Sequence, residues 1–245
     1  MSQDRIYALP QQQVGDFVFD DQVAEVFPDM IARSVPGYAS VLAMIEQLTN
    51  RYARPGTNLY DLGCSLGAAT LLMQAQAPSS CTIHAVDSSE AMVLRLREKL
   101  GQPSDTGNAN TCSVVVHLAD LQNFPLNNAS FVVVNWTLQF IPAADRERVL
   151  QAVADALLPG CGLLLSEKIC FDQPDQQSLL TELHHDFKRS HGYSDLEIAQ
   201  KRTAIENRLI PETLPAHIQR LQQVGFRTVA PWFQCFNFVS VLAIK

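Results

Sequence analysis

The 245-residue sequence predicts an α/β fold built on a mostly parallel sheet covered on both faces. Strand-like and helix-like stretches alternate from Thr57 to about residue 170, and the strands are continuous Val/Leu/Ile runs, as a doubly buried sheet requires. The chain then closes on two strand-like segments, 225–233 and 234–245, with no room for a helix between them, so they must form an antiparallel hairpin. A seven-stranded sheet is expected. An apolar fraction of 47% supplies material for a large core, and a charged fraction of 18% excludes a disordered tail or linker, which would be polar and highly charged.

Residues 1–16 are mostly polar and lead to Phe17 and Phe19. Two helical stretches follow within about 20–50, broken near Pro36–Gly37; in the second, Val41, Ile45 and Leu48 share one helix face. Arg54, Pro55 and Gly56 make a turn. Residues 57–63 read as the first strand and 66–76 as its helix. Residues 81–87 read as the second strand, before a helix capped by Ser88 or Ser89. A polar loop fills 101–111. The third and fourth strands are 113–120 and 130–136, followed by an amphipathic helix over 145–158 that Pro159 and Gly160 stop. The fifth strand is 161–169, and about 175–223 forms a helical insertion. One domain spanning 1–245, with these helical additions, is the simplest organisation.

The net charge of −7 argues against direct nucleic-acid binding, which needs excess Lys and Arg to displace counterions. No apolar run approaches the roughly 18 residues that would cross a bilayer, and the N-terminus lacks a secretory signal pattern. Six cysteines are scattered without zinc-like spacing, which fits a reduced population in a cytoplasmic protein and no metal.

The segment Asp61-Leu62-Gly63-Cys64-Ser65-Leu66-Gly67 follows a strand and opens a helix, the place where doubly wound sheets bind nucleotides. There, glycines let the backbone approach a ligand and free N–H groups face it. As a dinucleotide fingerprint it fails, because Ser65 holds the second glycine position. Gly63-x-Ser65-x-Gly67 matches a hydrolase nucleophile elbow literally, without an oxyanion loop before it or an evident Asp and His after it. A glycine turn needed only for tight packing is the plain alternative. The pattern D-x-G-x-x-x-G, with Asp87, Asp120 and Asn135 at the next three strand ends, resembles the class I S-adenosylmethionine (SAM)-dependent methyltransferases. In that arrangement Asp87 accepts the ribose hydroxyls, Asp120 and the Leu121 backbone meet the adenine, and Asn135 lies beside the sulfonium. Each polar residue alone could equally be a helix cap or a turn former.

Longer stretches narrow the resemblance. FDDQVAEVFPDMIARSVPGY, YDLGCSLGAAT, NWTLQF, LSEK, HHDFKR, GYSDLEIAQKR and WFQCFNF resemble the carboxy-S-adenosyl-L-methionine (carboxy-SAM) synthase family from about residue 17 to the C-terminus. The resemblance implies that SAM and prephenate are converted to carboxy-SAM and phenylpyruvate for tRNA wobble-uridine modification. It implies that Tyr38, Gly63, Cys64, Ser65, Asp87, Ser88, Asp120, Leu121 and Asn135 hold SAM, with Ser88 standing where the family has Asn. It also implies that Arg202 is the catalytic cation, binding the new carboxylate in a two-point contact. A homodimer and contact with a downstream tRNA-modifying enzyme are implied as well. Without the resemblance, Arg202 reads as one solvated charge on a charged helix. His184 and His185 lack the spacing of a metal pair and read as structural or surface residues, Cys64 as packing, and Trp232, Phe233, Phe236 and Phe238 as core and hairpin residues.

Overall fold

A computed structural model describes residues 2–101 and 111–245; the expected polar loop therefore lies, over 102–110, outside the described residues. Five parallel strands, β1 (Asn58–Leu62), β2 (Thr82–Asp87), β3 (Ser113–Leu118), β4 (Ala129–Asn135) and β5 (Leu157–Cys170), form the body of the sheet. A two-residue β6 (Glu212–Thr213) pairs with the end of β5, while β7 (Thr228–Cys235) and β8 (Phe238–Ile244) form the hairpin. The order is β3-β2-β1-β4-β5-β8-β7, with β8 antiparallel to both neighbours. The chain winds outward from β1 to β3, then returns to place β4 against β1. This reversal opens a crevice at the carboxyl ends of those strands.

Helices cover both faces. Val149, Leu150 and Val153 of α5 (Ala143–Ala156) pack with Leu221 of α8 (Leu214–Gln223) on one side. Val41 and Ile45 of α2 (Tyr38–Tyr52) pack with Met73 of α3 (Ala68–Gln76) on the other. Each such fully buried side chain contributes roughly 1.5–3 kcal/mol through burial. The helix α4 (Glu90–Gly101) follows β2, and α1 (Asp21–Ser34) precedes α2, starting at Asp20, whose carboxylate accepts from Val23 N–H. The insertion supplies α6 (Pro174–Ser190) and α7 (Asp195–Ile205); Ser194 and Glu197 close a capping box on α7.

Four sequence expectations are corrected. The helix expected over 145–158 ends at Ala156, and Leu157 already pairs with Ala129. The residue before a proline is driven towards extended backbone, so the helix must close ahead of Leu158 rather than at Pro159. Among the described residues the main sheet has the expected seven strands, but the insertion is not wholly helical: it is interrupted by β6, whose two residues carry no periodicity to read. Its anchor is Arg146, fully buried, which donates to Glu212 and to the carbonyls of Ile141, Gln139 and Ile210. The run in β3 is not covered on both faces: β3 is an edge strand, with Val115 41% and Leu118 48% exposed. Finally, Gln234 and Cys235 belong to β7, so the hairpin turns through Phe236 and Asn237.

Candidate functional site

The turn after β1 is tied to β2 by its own backbone. Gly63 and Cys64 both donate to the carbonyl of Val86, at 2.8 and 3.1 Å, Ser65 N–H donates to Asp87 Oδ2 at 2.8 Å, and Gly67 N–H donates to Cys64. These four amides are spent within the fold, which corrects the expectation that they face a ligand. The glycines have a packing cause instead. Gly63 has φ +83°, and a Cβ there would overlap the Thr137 side chain. Gly67 has φ +77°, and a Cβ would overlap Leu96. The nucleophile-elbow alternative also falls away, since Ser65 Oγ donates to Met92 Sδ and meets no base among the described residues. Cys64 is buried, which pushes its thiol up and away from reactivity.

Asp87, at the tip of β2, accepts from Ser65 N–H and, through Oδ1, from Ser89 N–H at 2.9 Å. Burial raises its pKa and those amide bonds oppose the rise. Two oxygens with about four acceptor sites leave room for two ribose hydroxyls. Ser89, not Ser88, caps α4, accepting from Met92 N–H and donating to the Phe19 carbonyl. Ser88 stands exposed on the rim. Asp120 lies two residues beyond β3 and caps the short turn 121–123, accepting from Gln122 N–H at 2.9 Å. It is both the turn former and a cavity residue, with Leu121 beside it. At the tip of β4, Asn135 Oδ1 is buried without a hydrogen-bond partner among the described residues, a polar atom left over for something the fold does not supply.

Asp87, Ser88, Asp120, Leu121 and Asn135 line one cavity of about 930 Å³, large enough for a nucleoside with a second small molecule. Tyr38, at the start of α2, stands 5.5 Å from the Trp136 ring, and burial pushes its hydroxyl up to about 12. Trp136 holds φ +56°, a strained value for a bulky residue. Phe19 packs edge-on against Phe140 at 5.4 Å, giving the cavity an apolar wall. Sequence reasoning passed over Asp61 as a site residue, although it opens the glycine motif. It is buried, accepts from Thr70 Oγ1 at 2.6 Å, and burial raises its pKa to about 6.

Cations of the helical insertion and of β5 also line the cavity. Arg202, on α7, opens onto the cavity of its own chain with its side chain 64% exposed, 4.0 Å from Glu206. Lys168 of β5, Lys188 of α6 and Lys201 of α7 join it there. His184 is structural, its Nε2 donating to the Ser34 carbonyl at 2.8 Å, and burial holds it neutral. Among the described residues, no group of three or more His, Cys, Asp or Glu could hold a metal ion. Residues 2–17, which carry no readable motif, strap α7 in place. Gln200 donates to the carbonyls of Tyr7 and Leu9, Phe17 N–H donates to the Ala204 carbonyl, and Lys201 lies 3.6 Å from buried Asp4. Phe238 packs on His184 and Phe233 against Gly37, as hairpin packing residues do.

A switch-point crevice with a glycine turn after β1 and acids at the next strand ends defines a class, the SAM-binding proteins of the class I methyltransferase type. A family profile described as a methyltransferase domain matches residues 59–160. An O-methyltransferase family protein from Burkholderia thailandensis shares the fold, with a TM-score of 0.62 and 16% identity over 93% of this chain and 60% of that one. The whole chain is much closer to a narrower group. The carboxy-S-adenosyl-L-methionine synthase of Trichlorobacter lovleyi is 54% identical over 99% of this chain and 98% of its own length. That of Geobacter metallireducens is 53% identical over the same shares. The chain belongs to the carboxy-S-adenosyl-L-methionine synthase family, an enzyme family on the methyltransferase fold, as the sequence stretches led one to expect.

Proposed function

We propose that this enzyme makes carboxy-SAM from SAM and prephenate, releasing phenylpyruvate and water. Prephenate loses CO₂ and hydroxide as its ring becomes aromatic. The hydroxide takes a proton from the SAM methyl, and the resulting sulfur ylide attacks the CO₂ carbon to form the new carboxylate. The substrate supplies the base, so no histidine or carboxylate of the chain needs to play that part. An ylide and CO₂ react together only if both are held in place and kept from bulk water. The apolar wall of Phe19 and Phe140 supports that requirement.

In this reading SAM lies along the strand ends, with Asp87 on the ribose, Asp120 and Leu121 at the adenine, and Asn135 and Tyr38 near the methionine and sulfonium. Gly63, Cys64, Ser65 and Ser88 shape that bed, and Arg202 grips the new carboxylate through its planar fork. The observation that carries the reading is full-length identity near 50% to named carboxy-SAM synthases, joined to one cavity that both Asn135 and Arg202 line. The product serves tRNA wobble-uridine modification by a downstream enzyme, in the cytoplasm, from a homodimer built of single-domain chains. An acidic protein suits that role, because its own substrates are small molecules and not RNA. Among the described residues no helix is long and apolar enough to cross a membrane.

Incubation with SAM and prephenate, followed by mass spectrometry, tests the proposal. A nucleoside product heavier than SAM by one CO₂, with equimolar phenylpyruvate, is expected. Release of S-adenosylhomocysteine with no such product would make the enzyme an ordinary small-molecule methyltransferase.

A further inference from the structure

The cavity continues past the residues assigned to SAM. Asp87, Asp61 and Asn135 mark the tips of β2, β1 and β4 in sheet order, and β5 comes next. Asn135 pairs in register with Ser166, and Lys168 stands two residues further along β5, on the side away from the adenosine. Facing it from the helical insertion are Lys188 and Arg202. Neither Lys168 nor Lys188 has a side-chain hydrogen bond or ion pair among the described residues. Lys201 differs, because Asp4 lies 3.6 Å from its ammonium and Ser34 Oγ accepts from it at 3.0 Å. The charges acting on Lys188 are Lys201, Lys168 and Arg202, all positive, and burial with this repulsion lowers its pKa to about 7. Lys168 is lowered in the same way by burial and Arg202. Two half-buried ammonium groups beside a guanidinium, neither ammonium paired with a carboxylate among the described residues, cost stability in the empty protein. A small dianion would balance them.

We propose that Lys168 and Lys188 form the binding subsite for the two carboxylates of the second substrate, placing it beyond Asn135 and against the SAM methyl. This rests on the reading of the reaction given above and adds the residues that select a dicarboxylate. Arg202 is left for the carboxylate that forms on SAM, and the lysines hold the one that departs as CO₂ together with its partner until decarboxylation. Compact, rotatable ammonium groups suit a substrate whose charge changes during the reaction.

The test is steady-state kinetics of carboxy-SAM formation with prephenate and SAM for the wild type, Lys168→Met, Lys188→Met and Lys188→Arg. Each Met variant should raise KM for prephenate by about tenfold or more, the loss expected for a charged hydrogen bond, while KM for SAM stays within about twofold. Lys188→Arg should recover part of the prephenate affinity. Thermal unfolding without ligand should place Lys188→Met at or above the wild type, since it removes an unbalanced buried charge; a merely structural lysine would lower it. An unchanged prephenate KM in both Met variants overturns the inference while leaving the reaction intact. A rise in KM for SAM alone would assign the lysines to the SAM carboxylate and also overturn it. A wild type that binds SAM yet makes no carboxy-SAM from prephenate overturns the reaction itself and this subsite with it.

Discussion

Replacing Gly63 by alanine tests why a glycine must follow β1. Gly63 has φ +83°, and a Cβ there would overlap Oγ1 and Cγ2 of Thr137. Holding a residue with a Cβ in the left-handed region costs about 1–2 kcal/mol. Overpacking against a fixed neighbour adds about 1–3 kcal/mol. Neither cost involves a ligand, so Gly63→Ala should destabilise the SAM-free protein by roughly 2–5 kcal/mol, lowering Tm by about 4–20 °C for a chain of this size. Thr137→Ala removes Oγ1 and Cγ2, relieving most of the overlap, but keeps its own Cβ 2.8 Å from the added carbon and leaves the backbone strain. The double variant should therefore be more stable than additivity predicts by about 1–3 kcal/mol. Urea unfolding of the four proteins without SAM measures the cycle. If Gly63→Ala unfolds like the wild type but no longer binds SAM, the glycine serves ligand approach and the packing account is wrong. Strict additivity would remove Thr137 from the explanation.

Three other outcomes are expected. Asp87→Asn should weaken SAM binding by about tenfold or more in calorimetry, because its amide would turn a donor toward the Ser65 or Ser89 N–H and lose a charged acceptor; affinity within about twofold of wild type would reject the role. Arg146→Met should cost about 3–5 kcal/mol in denaturant unfolding, since Glu212 would keep Arg220 alone and three buried carbonyls would lose their donor; a small loss would show that β6 holds without it. The Asp61 carboxyl, raised by burial from 3.8 to about 6, binds its proton more tightly folded than unfolded, so its contribution to ligand-free stability falls as pH rises from about 4 through 6. A cationic ligand favours the carboxylate. SAM affinity should then rise between about pH 5 and 7 with proton release below 6, and Asp61→Asn should flatten that rise; an unchanged pH profile would refute the coupling.

That β1, β2, β4 and β5 lie parallel in one sheet was legible because each is a buried apolar run with a helix pattern after it. The hairpin was legible because 225–245 leaves no space for a crossover. Asp87 and Asn135 were legible as polar residues at the ends of such runs. The two-residue β6 and the exposed face of β3 were not, for the first has no periodicity and the second depends on which strand happens to be outermost. Ser89 and Ser88 are adjacent and chemically alike, so only the direction of α4 chose the cap. Arg146 looks like any helix charge in sequence; its burial comes from the return of residues 206–213 across α5.

By itself the sequence determined the class of sheet, the strand ends that bear polar groups, and the family, since these rest on local periodicity and on long unbroken stretches of matching residues. The tertiary structure alone decided how the glycine turn is used, because three of its amides find their partners on β2 and the neighbour of Gly63 lies on the loop after β4. It also gathered Lys168, Lys188 and Arg202 from β5, α6 and α7 onto one wall of an otherwise acidic protein with net charge −7. Charge in sequence is a sum; the field in a cavity depends on distance and burial, and those exist only once the chain has folded.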